Sequence, residues 1–240
     1  MPILGLLESD VLYPDLIDDY ASYGSMVRKN LSALDKHLEF RHYRIQEGEF
    51  PSNLDECDAY LITGSKTGVY DSEPWLEPLA QWIKHAYTHK AKLLGICFGH
   101  QLLAHALGGE VDDNPAGVEV GSVAVTLQAA AQHDPLLSAL PPEFIAQLTH
   151  RQSVRRLPEG AQHLAHSELE PHQAFAYGDS AWGIQFHPEF DEAIVRHFID
   201  YYRGQLQQEG RDAEALIAAR RPSPHSPALL SRFAALLRRG

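Results

Sequence analysis

A chain of 240 residues, 44% of them apolar, suits one α/β domain with a full core, or one such domain and an extension. Its formal net charge of −12 repels nucleic acid and anionic membrane, so neither is an expected partner. Two cysteines exclude a disulfide framework and point to a reducing cytoplasm, no stretch approaches the ~20 apolar residues of a membrane span, and the opening "MPILGLLESD" lacks the basic start of a secretory signal.

In chain order, "PILGLLE" reads as a first core strand. "YASYGSMVRKNLSALDKHL" follows as a helix, with Met26, Val27, Leu31, Leu34 and Leu38 near helical spacing. "EFRHYRI" alternates like a strand, and "DAYLITGS" is a buried strand ending in a small-residue turn. "PWLEPLAQWIKHAYTHK" is a helix opened by Pro74, with Ser72 or Asp71 as candidate cap. "KLLGI" is a third buried strand, and the helical spacing of Leu102, Leu103, Ala106 and Leu107 starts directly after it. Strands alternating with helices predict a mostly parallel sheet covered on both faces.

After Gly109 the pattern changes. "VGSVAVTL", "FIAQLTH", "HLAHSE" and "QAFAYG" are short strands of an antiparallel or mixed part. "AWGIQF" is another core strand, and "FDEAIVRHFIDYYRGQL" a long closing helix with Asp191 as candidate cap. "RRPSPHSP" reads as a linker into "ALLSRFAALLRR", where Leu229, Leu230, Phe233, Leu236 and Leu237 share one face. That stripe needs cover, from the domain itself or from another subunit. Arg220, Arg221, Arg232, Arg238 and Arg239 make the tail basic, as a solvated helix face or, less readily, a docking surface.

Ligands of parallel α/β sheets sit beyond the carboxyl ends of the strands. Three core strands end on reactive or small residues: Gly64-Ser65, Cys97, and His187-Pro188-Glu189. If the strands are neighbours, these ends meet. A helix start and a nearby imidazole lower a thiol's pKa. His187 is then placed to hold the Cys97 proton, and Glu189 to orient the imidazole. The tight turn at "GICFG" aims the Phe98 amide at whatever the sulfur attacks, and an amide of the Gly64-Ser65 turn completes an oxyanion hole. One such donor stabilises a transition state by about 3 kcal/mol. A lone G-x-C-x-G is also met by an inert core cysteine; the combination and its chain order favour catalysis. An α/β-hydrolase is disfavoured because its acid precedes its histidine.

Other residues carry weaker expectations. Cys57 has no basic neighbour and reads as structural. His85 and His89 lie one helical turn apart but lack a third ligand, so no metal is expected. His100 and His105 flank the elbow helix, exposed or core-packed, with His100 at best bordering the pocket. Glu119 lies in a stretch able to approach the site. Tyr70 and Trp75 either wall the pocket or pack in the core. "GSKTG" lacks P-loop spacing, so no nucleotide or other cofactor is expected.

"GICFGHQ" together with "GIQFHPEF" resembles the class I, triad-type glutamine amidotransferases over roughly Ile3 to Tyr202. "LITGSKTGVYDSEPWL" and "THRQSVRRLPEGAQHLAHSE" are most similar to stand-alone members related to the glutaminase domain of GMP synthase. The resemblance implies a three-layer α/β fold: a mostly parallel or mixed central sheet flanked by helices, a cysteine nucleophile elbow, and a small antiparallel sheet. It divides the chain into an amidotransferase domain, 1–208, and a C-terminal helical extension, 209–240. It assigns Cys97, His187 and Glu189 as the triad. It implies that Gln101 helps hold substrate glutamine, with main-chain groups around His150 and Arg151 near the α-amino and α-carboxylate ends. Where the family often has Gly-Gly-Pro, this chain has Gly64-Ser65-Lys66, and where GMP synthase relatives have Ser-His-Gly-Asp it has Thr149-His150-Arg151-Gln152.

The implied reaction is hydrolysis of the γ-amide of glutamine through a cysteine thioester, the ammonia passing to a separate synthetase. A γ-glutamyl peptidase or hydrolase using the same thioester is the alternative. A catalytically idle binding module on the same fold is a third reading, which the intact triad argues against. An oligomer formed through the C-terminal helix is compatible with each.

Overall fold

The computed structural model describes residues 1–237, so Arg238 and Arg239 of the basic tail lie outside the described residues. The chain opens with strand β1 (Ile3–Glu8), helices α1 (Pro14–Tyr20) and α2 (Tyr23–Leu34), and strand β2 (Glu39–Arg44). Strand β3 (Ala59–Ile62), helix α3 (Leu76–Thr88), strand β4 (Leu93–Ile96) and helix α4 (Phe98–Ala106) follow. Seven strands come next: β5 (Glu110–Asp113), β6 (Glu119–Leu127), β7 (Glu143–His150), β8 (Gln152–Arg156), β9 (Gln162–His166), β10 (Ala174–Tyr177) and β11 (Ala181–Ile184). Helices α5 (Glu192–Tyr201), α6 (Arg203–Gln208), α7 (Ala213–Ala218) and α8 (Ser226–Leu236) close the fold.

Nine strands form one sheet in the order β2-β1-β3-β4-β11-β10-β9-β6-β7. The first five run parallel; from β11 outward each neighbour is antiparallel. The parallel centre follows from sequence: β3, β4 and β11 are short apolar runs buried at every residue, as strands covered on both faces require. β2, with charges along its length and mostly exposed, takes an edge. Alternate residues point to opposite faces. Leu4, Leu6, Leu61, Leu94 and Ile96 meet α2 and α8 in one core, while Leu7, Tyr60, Ile62 and Leu93 meet α3 and α4 in the other.

The small antiparallel sheet consists of β5 and β8, two segments the sequence reading left without strands. Each has a single apolar residue, too few to show a period. Those two, Val111 and Val154, pair directly and are buried. The strands that were expected after Gly109 extend the main sheet instead.

Helix ends partly differ from expectation. Asp191 caps α5 as read, accepting from the amides of Ala193 and Ile194 at 3.0 Å. The long closing helix is interrupted at Tyr202 (φ −87°, ψ 5°) and continues as α6. Neither Ser72 nor Asp71 caps α3, which starts at Leu76 without a side-chain cap. Asp71 accepts from the Gly68 amide at 2.7 Å instead. α1 leaves no apolar period in the sequence, because only Leu16 of its seven residues is buried.

The domain itself covers the apolar stripe of α8: Leu229, Leu230 and Phe233 are fully buried in the core with α2. Two tail arginines bind protein rather than forming a solvated face. Arg220 donates to the carbonyls of Ile217 and Glu192, and Arg232 to those of Pro135 and Leu136. Among the described residues no helix is long and apolar enough to cross a membrane.

Candidate active site

In the central register Ile62 pairs with Gly95 and Ile184 with Ile96, so β3, β4 and β11 stop at one edge of the sheet. The residues that follow them converge there on a cleft of about 350 Å³ lined by Ser65, Cys97 and His187 among others.

Cys97 occupies the single position between β4 and α4. Its φ of +52° lies in the region side-chain-bearing residues rarely adopt. The Cys97 amide donates to the Ile184 carbonyl at 2.9 Å, and its carbonyl accepts from the Gln101 amide at 3.1 Å. The flanking glycines make the turn sterically possible. A Cβ at Gly95 would stand 2.3 Å from the Gly99 carbonyl oxygen, and one at Gly99 would stand 2.3 Å from that of Ile62. The thiol donates to the Thr149 carbonyl at 3.6 Å.

His187 is 1% exposed and its ring stacks on Phe190 at 3.8 Å. Its amide donates to the Gln147 carbonyl at 2.8 Å. Nδ1 lies 2.8 Å from Glu189 Oε1, whereas Nε2 has no hydrogen-bond partner. Burial pulls the His187 pKa down, but the negative charge of Glu189, and that of Cys97 when ionised, push it up to about 10.

The amides of Ser65 and Phe98 have no acceptor among the described residues. The Ser65 turn is fastened by Asp10, a residue the sequence reading missed although it stands two positions beyond β1 at the same sheet edge. Asp10 accepts from Ser65 Oγ at 3.3 Å and the Lys66 amide at 3.1 Å, and lies 3.6 Å from Lys66 Nζ. Gly64 packs on the histidine: a Cβ there would stand 3.0 Å from His187 Cε1.

Gln101, His150 and Arg151 all line the cleft. Gln101 Nε2 is engaged by protein, donating to the Gln152 carbonyl at 2.7 Å and to Gln185 Oε1 at 2.9 Å. His150 bonds the Gln152 carbonyl through Nδ1 at 2.9 Å and Glu119 Oε2 through Nε2 at 2.8 Å. Burial lowers its pKa, and the stronger pull of Glu119 raises it to about 9. Glu119 thus reaches the site through His150 and does not line the cleft. It also accepts from Ser167 Oγ at 2.5 Å and Gln173 Nε2 at 2.7 Å. Arg151 is half-exposed, with Nε 3.3 Å from Asp113. Gln152 Oε1 accepts from the Val69 amide at 2.9 Å, tying this corner to the segment after the Gly64-Ser65 turn.

Of the two open readings for Tyr70 and Trp75, Trp75 packs in the core against Phe98 at 5.7 Å, and Tyr70 is exposed beside His105 at 5.5 Å. Neither lines the cleft. Tyr13 from the segment before α1, Tyr23 from the start of α2, Phe198 and Tyr201 from α5 and Tyr202 from the α5–α6 break give it an aromatic wall. The Tyr-Tyr pair at the end of the closing helix was the available signal. Burial, with the nearby Cys97, pushes the Tyr202 hydroxyl up to about 12. His100 is core-packed against Phe175, and burial pulls its pKa down to about 3. The rings of His85 and His89 lie tilted to each other at 4.2 Å, and no group of three or more candidate metal ligands occurs among the described residues. Cys57 is buried beside the Tyr43 hydroxyl at 3.6 Å, and burial raises its pKa.

Residues 15–197, a stretch containing Cys97, His187 and Glu189, match the family described as glutamine amidotransferase class-I. Gamma-glutamyl peptidase 5 of Arabidopsis thaliana is 33% identical over 162 residues, or 66% of this chain and 64% of that protein. A glutamine-hydrolyzing GMP synthase of Porphyromonas gingivalis is 31% identical over 176 residues, or 72% of this chain and 32% of that enzyme. The chain therefore spans just under two thirds of the peptidase and about a third of the synthase. A glutamine amidotransferase from Thermotoga maritima has the same fold, with a TM-score of 0.77 at 24% identity, covering 98% of this chain and 97% of that one. The nine-stranded sheet, its cysteine elbow and the long family match agree, and the chain belongs to the class I glutamine amidotransferases.

Proposed function

We propose that this chain hydrolyses the amide bond on the γ-carboxyl of a glutamyl group through a thioester on Cys97. The observation that carries the reading is that Cys97 and His187 line one cleft while Glu189 engages the imidazole through Nδ1 at 2.8 Å, which leaves Nε2 for a reacting proton.

The Cys97 proton passes to His187 Nε2 while Glu189 holds Nδ1. The sulfur attacks the γ-carbonyl carbon, and the resulting oxyanion accepts from the Ser65 and Phe98 amides. The tetrahedral adduct collapses as His187 returns its proton to the departing nitrogen, leaving a γ-glutamyl thioester. Water then gives a proton to His187 and attacks the thioester. Glutamate leaves, and Cys97 recovers its proton.

The similarity to gamma-glutamyl peptidase 5 favours an amino acid or peptide as leaving group. The second reading, favoured by the similarity to GMP synthase, is glutamine as substrate, with ammonia passing to a separate acceptor enzyme. Assays of amino-acid release from γ-glutamyl peptides and of ammonia release from glutamine separate the two. Either activity falls by at least about 10³-fold in Cys97→Ala. Mass spectrometry of the protein after brief exposure to substrate finds a γ-glutamyl adduct on Cys97. A folded chain that turns over neither compound and forms no adduct is an idle module, and the proposal fails.

A further inference from the structure

The chain has 32 acidic residues and a formal net charge of −12, yet no aspartate or glutamate lines the cleft, while Lys66 and Arg151 both do, Lys66 paired with Asp10 at 3.6 Å and Arg151 with Asp113 at 3.3 Å. Glutamine is a zwitterion with one carboxylate. A γ-glutamyl amino acid has a second carboxylate, on the part that leaves, and a cation on the leaving-group side of the cleft can meet it.

Geometry says where the leaving part goes. His187 supplies its proton, and His187 lies against Gly64, two residues before Lys66. Asp10 fixes where the Lys66 ammonium stands, 3.6 Å from Oδ1, and an ammonium has three donors, so some remain for a ligand. The same ammonium sits 5.4 Å from the centre of the Tyr13 ring. Tyr13 in turn meets Tyr201 edge to face at 4.9 Å. A cation and an aromatic wall therefore adjoin each other beside the proton donor.

We propose that Lys66, Tyr13 and Tyr201 form a leaving-group subsite for an amino acid with a free α-carboxylate and an aromatic or large apolar side chain. Lys66 binds the carboxylate and the two tyrosines pack on the side chain. This rests on the γ-glutamyl hydrolase reading above and deepens it by naming the leaving group.

Binding to Cys97→Ala protein, measured by calorimetry, tests the subsite without chemistry. γ-Glutamyl-phenylalanine is expected to bind about tenfold more tightly than its C-terminal amide, the effect of one charge-assisted contact. Lys66→Met in that background brings the ratio to about one, and Lys66→Arg preserves it. γ-Glutamyl-glycine binds more weakly than γ-glutamyl-phenylalanine, a difference that Tyr13→Ala removes. Equal affinities for acid and amide, or a ratio that Lys66→Met leaves intact, overturn the subsite. Cleavage is followed separately with Cys97 present. Compounds that bind with these ratios but are not cleaved would refute the hydrolase reading alone; cleavage without the ratios would refute the subsite alone.

Discussion

Three fully buried histidines show what a single neighbour decides. His100 has no carboxylate beside it, and desolvation holds its pKa near 3. His150 and His187 suffer the same burial, yet Glu119 and Glu189 bring them to about 9 and about 10. The protonated form of His187 is thus held chiefly by Glu189. Its folded pKa lies above the ordinary value of 6.5. Its contribution to stability is therefore full below about pH 6.5 and disappears as pH rises through about 10. Replacing Glu189 with Gln removes the opposing charge, lets burial dominate and lowers that pKa. The expected result is a kcat reduced by about 10²–10⁴-fold and an alkaline limb of the pH–rate profile moved to lower pH. An unmoved alkaline limb would place the titrating group elsewhere.

At the scale of elements, the strand–cysteine–helix elbow depends on two absent side chains. α4 lies so close to β3 that a Cβ at Gly99 would meet the Ile62 carbonyl at 2.3 Å, backbone that has nowhere to go. Gly99→Ala is expected to destabilise the fold by about 1–3 kcal/mol, as overpacking does. It should also move the Phe98 amide away from the oxyanion position proposed for it. Thermal melting reads the first effect, and kcat of the remaining folded protein reads the second. A variant with native melting temperature and native kcat would show that the elbow tolerates what its geometry forbids. The corner from β7 to β8 is a comparable fastener, because Thr149 touches the sulfur while Gln152 holds both Gln101 and the Val69 amide.

Across the whole molecule, the tail belongs to the core. Phe233 is fully buried, 6.3 Å from the Trp182 ring on β11, in the cluster that supports β1, β3 and β4 from beneath. Lys92, just before β4, donates to the Leu236 carbonyl at 2.5 Å. Phe233→Ala should cost about 3–5 kcal/mol, read as a lower denaturant midpoint, with kcat per folded molecule unchanged because the side chain does not line the cleft. A midpoint equal to that of the parent protein would mean α8 is dispensable to the sheet.

Local pattern alone determined much of this protein. Unbroken apolar runs mark β3, β4 and β11 as central strands. The glycines around Cys97 mark the elbow, and the two-residue spacing of His187 and Glu189 allows their direct contact. These features are encoded within a few residues of chain, where period, chirality and steric exclusion act. Only the tertiary structure decided that Asp10 secures the Gly64-Ser65 turn, that Glu119 meets His150, and that tyrosines from α5 and the segment before α1 wall the cleft. Each of these joins residues far apart in the chain, and no local period announces such a meeting. The weak strands β5 and β8 were hidden for the same reason: their one apolar residue apiece acquires meaning only when Val111 and Val154 cover each other.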